Sequence, residues 1–255
     1  MPARGYTLSP MAGPGASVIS VVDADPDLAD LLDARDLERA RHEALTRVQR
    51  ISPGEWDAAA AREPAEHHRG FLIIDGLLSR TVDVLGRHCV ELVGHGDVMR
   101  PWQWDEAGSH VRAEIGWTVL EPTRLAVLDH ALVVRMVPWP QLGLELFNRG
   151  TRRAHHLAIA LAIAHHHRVD DRLLLTLWHL AERWGRVHPD GIVVPLPLSH
   201  QRLADLVGAQ RQSVTTAMGG LTRAGAVSRR EEGHWVLHGE PPAALRHHKL
   251  VAALS

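Results

Sequence analysis

The stretch that most constrains this 255-residue chain is residues 197–225, PLSHQRLADLVGAQRQSVTTAMGGLTRAG. It reads as two short amphipathic helices joined by a tight turn. Ser199, after Pro197, is a helix N-cap. Leu203, Leu206 and Val207 fall on the inner side of the first helix, and Gly208 permits the sharp turn. On the second helix, predicted over 210–224, Val214, Met218 and Leu221 share one face at i, i+4 and i+7 spacing. The opposite face carries Arg211, Gln212, Thr215, Thr216 and Gly219.

That outward set has a chemistry. Its side chains can donate to phosphates or read base edges, and its small residues allow close approach. Arg211, at the start of the helix, is placed to reach a guanine through two hydrogen bonds. Downstream, AVSRREEGHWVLHG reads as a strand, a Glu-Glu-Gly turn and a second strand. Ser199, Gln201, Arg223, Arg229 and Arg230 flank the unit as candidate phosphate contacts, with Ser213, Thr215 and Thr216 beside Arg211 and Gln212 on the recognition helix. Residues 196–239 hold five Arg against three acidic residues, a surplus of two that suits sequence-specific rather than bulk binding. A helix-turn-helix followed by a winged hairpin is the prediction. The bland alternative is a helical hairpin in a packed core.

Composition limits the rest. The formal net charge is −2, so a nucleic-acid surface must be local. One cysteine, Cys89, forms no internal disulfide and holds neither an iron–sulfur cluster nor a Cys-based zinc site alone. That suits a reducing cytoplasm, where the chain is placed. The longest apolar run, LAIALAIA, is far short of the roughly 20 residues that span a bilayer, so no membrane partner is expected. Residues 1–27 are read as a flexible tail.

Helical spacing of Leu28, Leu31, Leu32, Leu37, Leu45 and Val48 predicts a helix that ends at Pro53 and Gly54. From about Gly70 the pattern changes to short apolar runs punctuated by Gly, which predicts an antiparallel roll or barrel. LGLELFNRGTRRAHHLAIALAIAHHHR is helical again. Phe147, Ala154, Leu157, Leu161 and Ala164, with Gly150, form a narrow seam close to a two-chain coiled-coil stripe. An ordinary helix packed on its own barrel would give the same stripe. DDRLLLTLWHLAERWG is a further amphipathic helix, stopped by Gly185 and Pro189.

The C-terminal third resembles the winged-helix domain of the Crp/Fnr family of bacterial transcription regulators. Ser199, Leu203, Ala204, Gly208, Arg211, Ser213, Val214, Leu221 and Gly225 fit the family pattern. The resemblance runs from about residue 30 to 240, and it is specific in the C-terminal third. It implies an α+β chain with five parts: a tail (1–27), a cyclic-nucleotide-binding-like sensor of helix plus β-roll (28–142), a dimerisation helix (143–168), a winged helix-turn-helix (169–240) and a C-terminal tail (241–255). It also implies a non-enzymatic homodimer that binds double-stranded DNA at a palindromic site. RNA polymerase and an unknown small-molecule effector are further expected partners. Two residues depart from the family. Gln212 stands where a Glu is common, and Thr216 where a second Arg is common, so the target differs from the best-known consensus.

The sensor is less regular. Family members that bind cyclic nucleotides carry Gly-Glu-Leu and then Arg-Ser or Arg-Thr. Here Gly96-Asp97 matches the entry to that loop, Arg100-Pro101-Trp102 stands in place of Gly-Glu-Leu, and Ala113-Glu114 in place of the Arg pair. A carboxylate there repels a phosphate, which argues against cyclic AMP unless Arg112 takes the role. Arg100, Trp102 and Trp104 are candidates to line an effector pocket, or the tryptophans simply cap the barrel core. Cys89 beside His88 is the one thiol candidate for haem, and a small buried Cys is the plainer reading. The nineteen histidines include His155, His156 and His165–His167, but none forms a His-Glu-x-x-His pattern, so neither metal nor cofactor is expected. A metal-dependent enzyme with a cupin-like barrel is the alternative function, without catalytic residues to name.

Overall fold

The computed structural model describes residues 17–58, 68–101 and 111–241. They form two compact units: 17–58, 68–78, 93–101 and 117–151 make the first, and 79–92, 111–116 and 152–241 the second.

The sheet of the first unit uses strands β1 (Ser17–Ser20), β2 (Leu45–Ile51), β3 (Gly54–Glu55), β4 (His68–Val84), β5 (Arg87–Gly94), β6 (Val98–Met99) and β7 (Glu114–Asp129). The order is β1-β2-β7-β4-β5, with β3 on β7 and β6 on β4. The pairs β1–β2, β2–β7, β3–β7 and β4–β6 are antiparallel, as a roll requires. Short helices α1 (Val21–Ala24), α2 (Pro26–Ala29), α3 (Ala34–Glu43) and α4 (His130–Arg135) close over one face. Their Val21, Val22, Leu28 and Leu132 share a core with Leu72, Ile74, Ala126 and Trp139. Gly76 sits where β4 meets β7: its φ is +95°, and a Cβ there would overlap Thr123 and the Pro122 carbonyl.

Two expectations are corrected here. Residues 17–27 are not a flexible tail. Ser17–Ser20 pairs with Leu45–Val48, and Val21 and Val22 are buried, so apolar burial and a strand ladder fix this segment. The helix predicted through Val48 stops at Glu43. Asp33 caps its start by accepting from the Asp36 amide at 2.8 Å, and after Ala44 the chain turns into β2. Thr46 and Val48 are β-branched. The Thr46 hydroxyl donates to the Val127 carbonyl, and Val48 sits opposite Ala126, so cross-strand partners override the helical spacing.

Helix α5 (Pro140–Ala164) begins three residues before the expected boundary and ends four before it. Pro140 suits a first helical turn, and it follows the fully buried Trp139. One side of α5 buries Leu142, Leu146, Arg149 and Ile163. Gly150, Ala154 and Ala164 are exposed on the other, with Phe147 at 72%, Leu157 at 39% and Leu161 at 63%.

In the second unit, the end of β4 and most of β5 form a hairpin arm. Its turn holds Leu85 and Gly86 at φ +53° and +75°, and Asp83 accepts from the Gly86 amide at 2.8 Å. Glu91 on this arm accepts from Arg80 at 3.1 Å and from Arg153 of α5 at 2.6 and 2.7 Å. Helix α6 (Val169–Trp184) buries Leu173, Leu177 and Leu180 and ends at Gly185. Then come β8 (Arg186–His188), β9 (Gly191–Val194), α7 (His200–Val207), α8 (Arg211–Arg223), β10 (Val227–Arg229) and β11 (Trp235–Leu237). The four strands form a second sheet in the order β10-β11-β9-β8. The β8–β9 pair went unpredicted because the Gly185 and Pro189 stop signals obscure three- and four-residue strands.

Candidate nucleic-acid interface

The two helices at the opening stretch form as their residues dictate. The Ser199 hydroxyl oxygen accepts from the Arg202 amide at 3.2 Å, a helix N-cap. Gly208 lies in the left-handed region, φ +60° and ψ +48°, which lets the chain reverse within three residues. Leu203, Ala204 and Val207 of α7 and Val214 and Met218 of α8 are buried. Arg172 of α6 donates to the Val207 carbonyl at 2.7 Å and so ties the turn down. Helix α8 therefore has one face anchored and the other free.

The free face presents Arg211, Gln212, Thr215, Thr216, Gly219 and Arg223, all exposed. The Thr215 and Thr216 hydroxyls donate to the Arg211 and Gln212 carbonyls at 3.0 and 3.1 Å. Arg223 donates to the Gly219 carbonyl at 3.2 Å. Ser213 is exposed but lies some 100° further round the helix from Gln212. It lines an open groove with Gln212, Thr216, Ala217 and Gly220, closed on the far side by Arg168 and Asp170.

The wing also forms. Val227–Arg229 pairs with Trp235–Leu237, and Trp235 donates from its indole to the Leu198 carbonyl at 3.0 Å. Arg229 lies over the Trp235 ring at 5.3 Å and donates to the Gly233 carbonyl at 3.4 Å. Arg230 is engaged elsewhere: its guanidinium donates to Asp190 at 2.8 and 2.9 Å. That contact, helped by His188, holds the Asp190 carboxyl down at about 2. Gln201 donates to Asp205 at 2.8 Å, one turn along α7. Arg211, Gln212, Thr215, Thr216, Arg223 and the Ser199 cap are thus grouped around α7 and α8, with Arg229 on the wing. Arg230 is held in a separate ion pair.

Sequence reasoning missed His200. It stacks on Trp235, with ring centroids 5.9 Å apart and planes 18° apart, and its Nδ1 is 3.0 Å from the Thr215 hydroxyl. Its position next to the Ser199 cap was the available signal.

The sensor candidates have plainer surroundings. Gly96 and Asp97 make a structural turn: Asp97 accepts from the Gly94 amide at 2.8 Å, and the Gly96 carbonyl accepts from Arg149 at 3.1 Å. Arg100 and Arg112 are exposed. Trp102 and Trp104 lie outside the described residues. Cys89 is exposed rather than buried in its strand. Among the described residues, no three His, Cys, Asp or Glu side chains come together as a metal-ligand set. No helix among them is long and apolar enough to cross a membrane.

Comparison with known proteins agrees with this geometry. The family of Crp-like helix-turn-helix domains matches residues 171–246. No curated protein matches the chain by sequence. Among solved structures, a cyclic nucleotide-binding domain containing protein from Listeria monocytogenes is 14% identical, with a TM-score of 0.62 over 83% of this chain and 96% of that one. A CooA mutant from Carboxydothermus hydrogenoformans is 19% identical, with a TM-score of 0.57 over 75% and 83%. The c-di-GMP responsive regulator CLP from Xanthomonas campestris is 19% identical, with a TM-score of 0.54 over 82% and 100%. At these identities the likeness is one of fold. Residues 171–246 belong to the family of Crp-like helix-turn-helix domains, and the chain that carries them shares the fold of these solved structures.

Proposed function

We propose that the protein is a non-enzymatic, cytoplasmic homodimer that reads a palindromic duplex site by placing α8 of each copy in successive major grooves. One observation carries this: α8 is anchored by Val214 and Met218 and turns an exposed polar face, led by Arg211, away from its own domain. Arg211 reaches a guanine edge, while Gln212, Thr215 and Thr216 read neighbouring bases. Ser199, Arg223 and Arg229 hold phosphates. Gln212 both donates and accepts, so the half-site departs from one read by Glu.

The exposed Phe147, Leu157 and Leu161, with the small Gly150, Ala154 and Ala164 between them, support a two-helix seam along α5. An effector bound by the sensor, other than cyclic AMP, would shift the population of DNA-competent dimers. RNA polymerase is the further partner of such a regulator. The test is selection of bound duplexes from a random pool, first without ligand. Enrichment of a symmetric motif supports the proposal. Absence of enrichment both without ligand and with added cell extract overturns it.

A further inference from the structure

The imidazole of His200 joins the start of α7 to both α8 and the wing. It stands at the start of α7, partly buried, stacked on Trp235 beneath the wing and bonded to Thr215 on the free face of α8. The tautomer follows from the neighbours. The Thr215 hydroxyl lies 3.0 Å from both the Arg211 carbonyl and Nδ1 of His200, and both contacts are satisfied together when it donates to the carbonyl and accepts from the ring. Nδ1 of His200 therefore carries the hydrogen. Nε2 holds the lone pair, and among the described residues it has no partner.

The charged groups that act on this ring are both cations. Burial, then Arg229 from the wing, then Arg211 from α8 push its pKa down. A phosphate held by Arg229 would reverse the sign of the larger part of that field. It would also meet an acceptor at Nε2 while the ring is neutral and a charged donor once the ring is protonated.

Resting on the reading of α8 as a DNA-recognition helix, we propose that His200 is a proton-linked phosphate contact. Its Nε2 takes up a proton when a duplex backbone docks against Arg229. Binding then consumes up to one proton per copy. Affinity falls as pH rises through the pKa of the complex, and it levels off below the lower pKa of the free protein.

The experiment measures duplex affinity from pH 5.5 to 8.5 for the full chain, using a duplex enriched from the random pool. Wild type, His200→Gln and His200→Arg are compared at two salt concentrations. Wild type should lose up to about tenfold in affinity per pH unit within the window for each His200 engaged, and its salt slope should be shallower by about 0.9 per contact at the alkaline end. Both variants should lack this component. His188, His234 and His238 remain in all three proteins, so whatever they contribute cancels in the comparison. Imidazole NMR provides a readout on the wild type alone: the His200 midpoint should rise when duplex is added. An unmoved midpoint, or a wild-type pH profile identical to that of His200→Gln, overturns the proton link while leaving DNA binding intact. Failure of wild type to bind any duplex at any pH overturns the recognition-helix reading, and the proton link with it.

Discussion

Arg149 of α5 and Asp25, between α1 and α2, form an ion pair with both side chains shut away from solvent, 5% and 0% exposed. The Asp25 carboxylate serves twice. One oxygen accepts from Arg149, and the other caps α2 by accepting from the Asp27 amide at 3.1 Å. Arg149 also donates to the Gly96 carbonyl and, at 3.3 Å, to Glu145. Three segments of the first unit thus meet at one guanidinium.

Arg149→Met should therefore be costly. It leaves a buried carboxylate without its countercharge, a loss of about 3–5 kcal/mol. The double variant Arg149→Met with Asp25→Leu should recover most of that, less about 1 kcal/mol for the lost α2 cap. Urea unfolding of the three proteins measures both numbers.

At the DNA face, Arg211→Ala should relax base preference at one position of each half-site, at a cost of about 1–3 kcal/mol. Arg223→Ala should weaken all sequences alike and lower the salt slope by about one per copy. Affinity measured across a panel of single-base variants separates the two. Equal losses on every duplex for Arg211→Ala would remove it from base reading.

The helix-turn-helix was legible because its signals are local. A Ser cap, a Gly turn and i, i+4, i+7 apolar positions lie within 25 consecutive residues; Val214 and Met218 are buried as that spacing demands, while Leu221, near the helix end, is only half-buried. His200 was not legible. Its meaning depends on Trp235, thirty-five positions away, and on the direction of one hydroxyl hydrogen. The β1 strand and the Asp25–Arg149 pair were hidden for the same reason, since their partners lie far along the chain. The helix over-extended through Val48 shows the converse: apolar spacing alone cannot see the ladder to Ala126.

The seam on α5 yields a prediction on assembly. Replacing Phe147 and Leu161 together by Glu should place four charges in a paired-helix interface and convert a dimer to monomers. Sedimentation velocity reads the change. Unaltered mass would show that this stripe is not the contact between copies.

Acid should loosen the second unit. His156 and His179 have ring centroids 5.1 Å apart, and each has a buried Nδ1 without a hydrogen-bond partner among the described residues. Burial, then Arg183 and His179, push His156 down to about 4, and burial lowers His179 as well. The unfolded chain takes up these protons first, near 6.5. The stability both rings contribute is thus complete above about pH 6.5 and declines as pH falls towards 4. After solvent screening the loss should be about 1–2 kcal/mol. Denaturant unfolding at pH 7 and pH 5 should show it in wild type and much less of it in His156→Phe.

The second sheet has a consequence for biogenesis. Strand β9, made before α7 and α8, finds its inner neighbour only in β11, which follows both helices. Trp235 of β11 also closes on Leu198 and His200. On a translating ribosome, α7 and α8 therefore emerge well before the strand that completes the sheet beside them. Until then β9 has β8 on one edge but its other edge is open and Leu198 lacks Trp235, and a nascent chain paused between α8 and the wing is a substrate for chaperones rather than a binder of DNA.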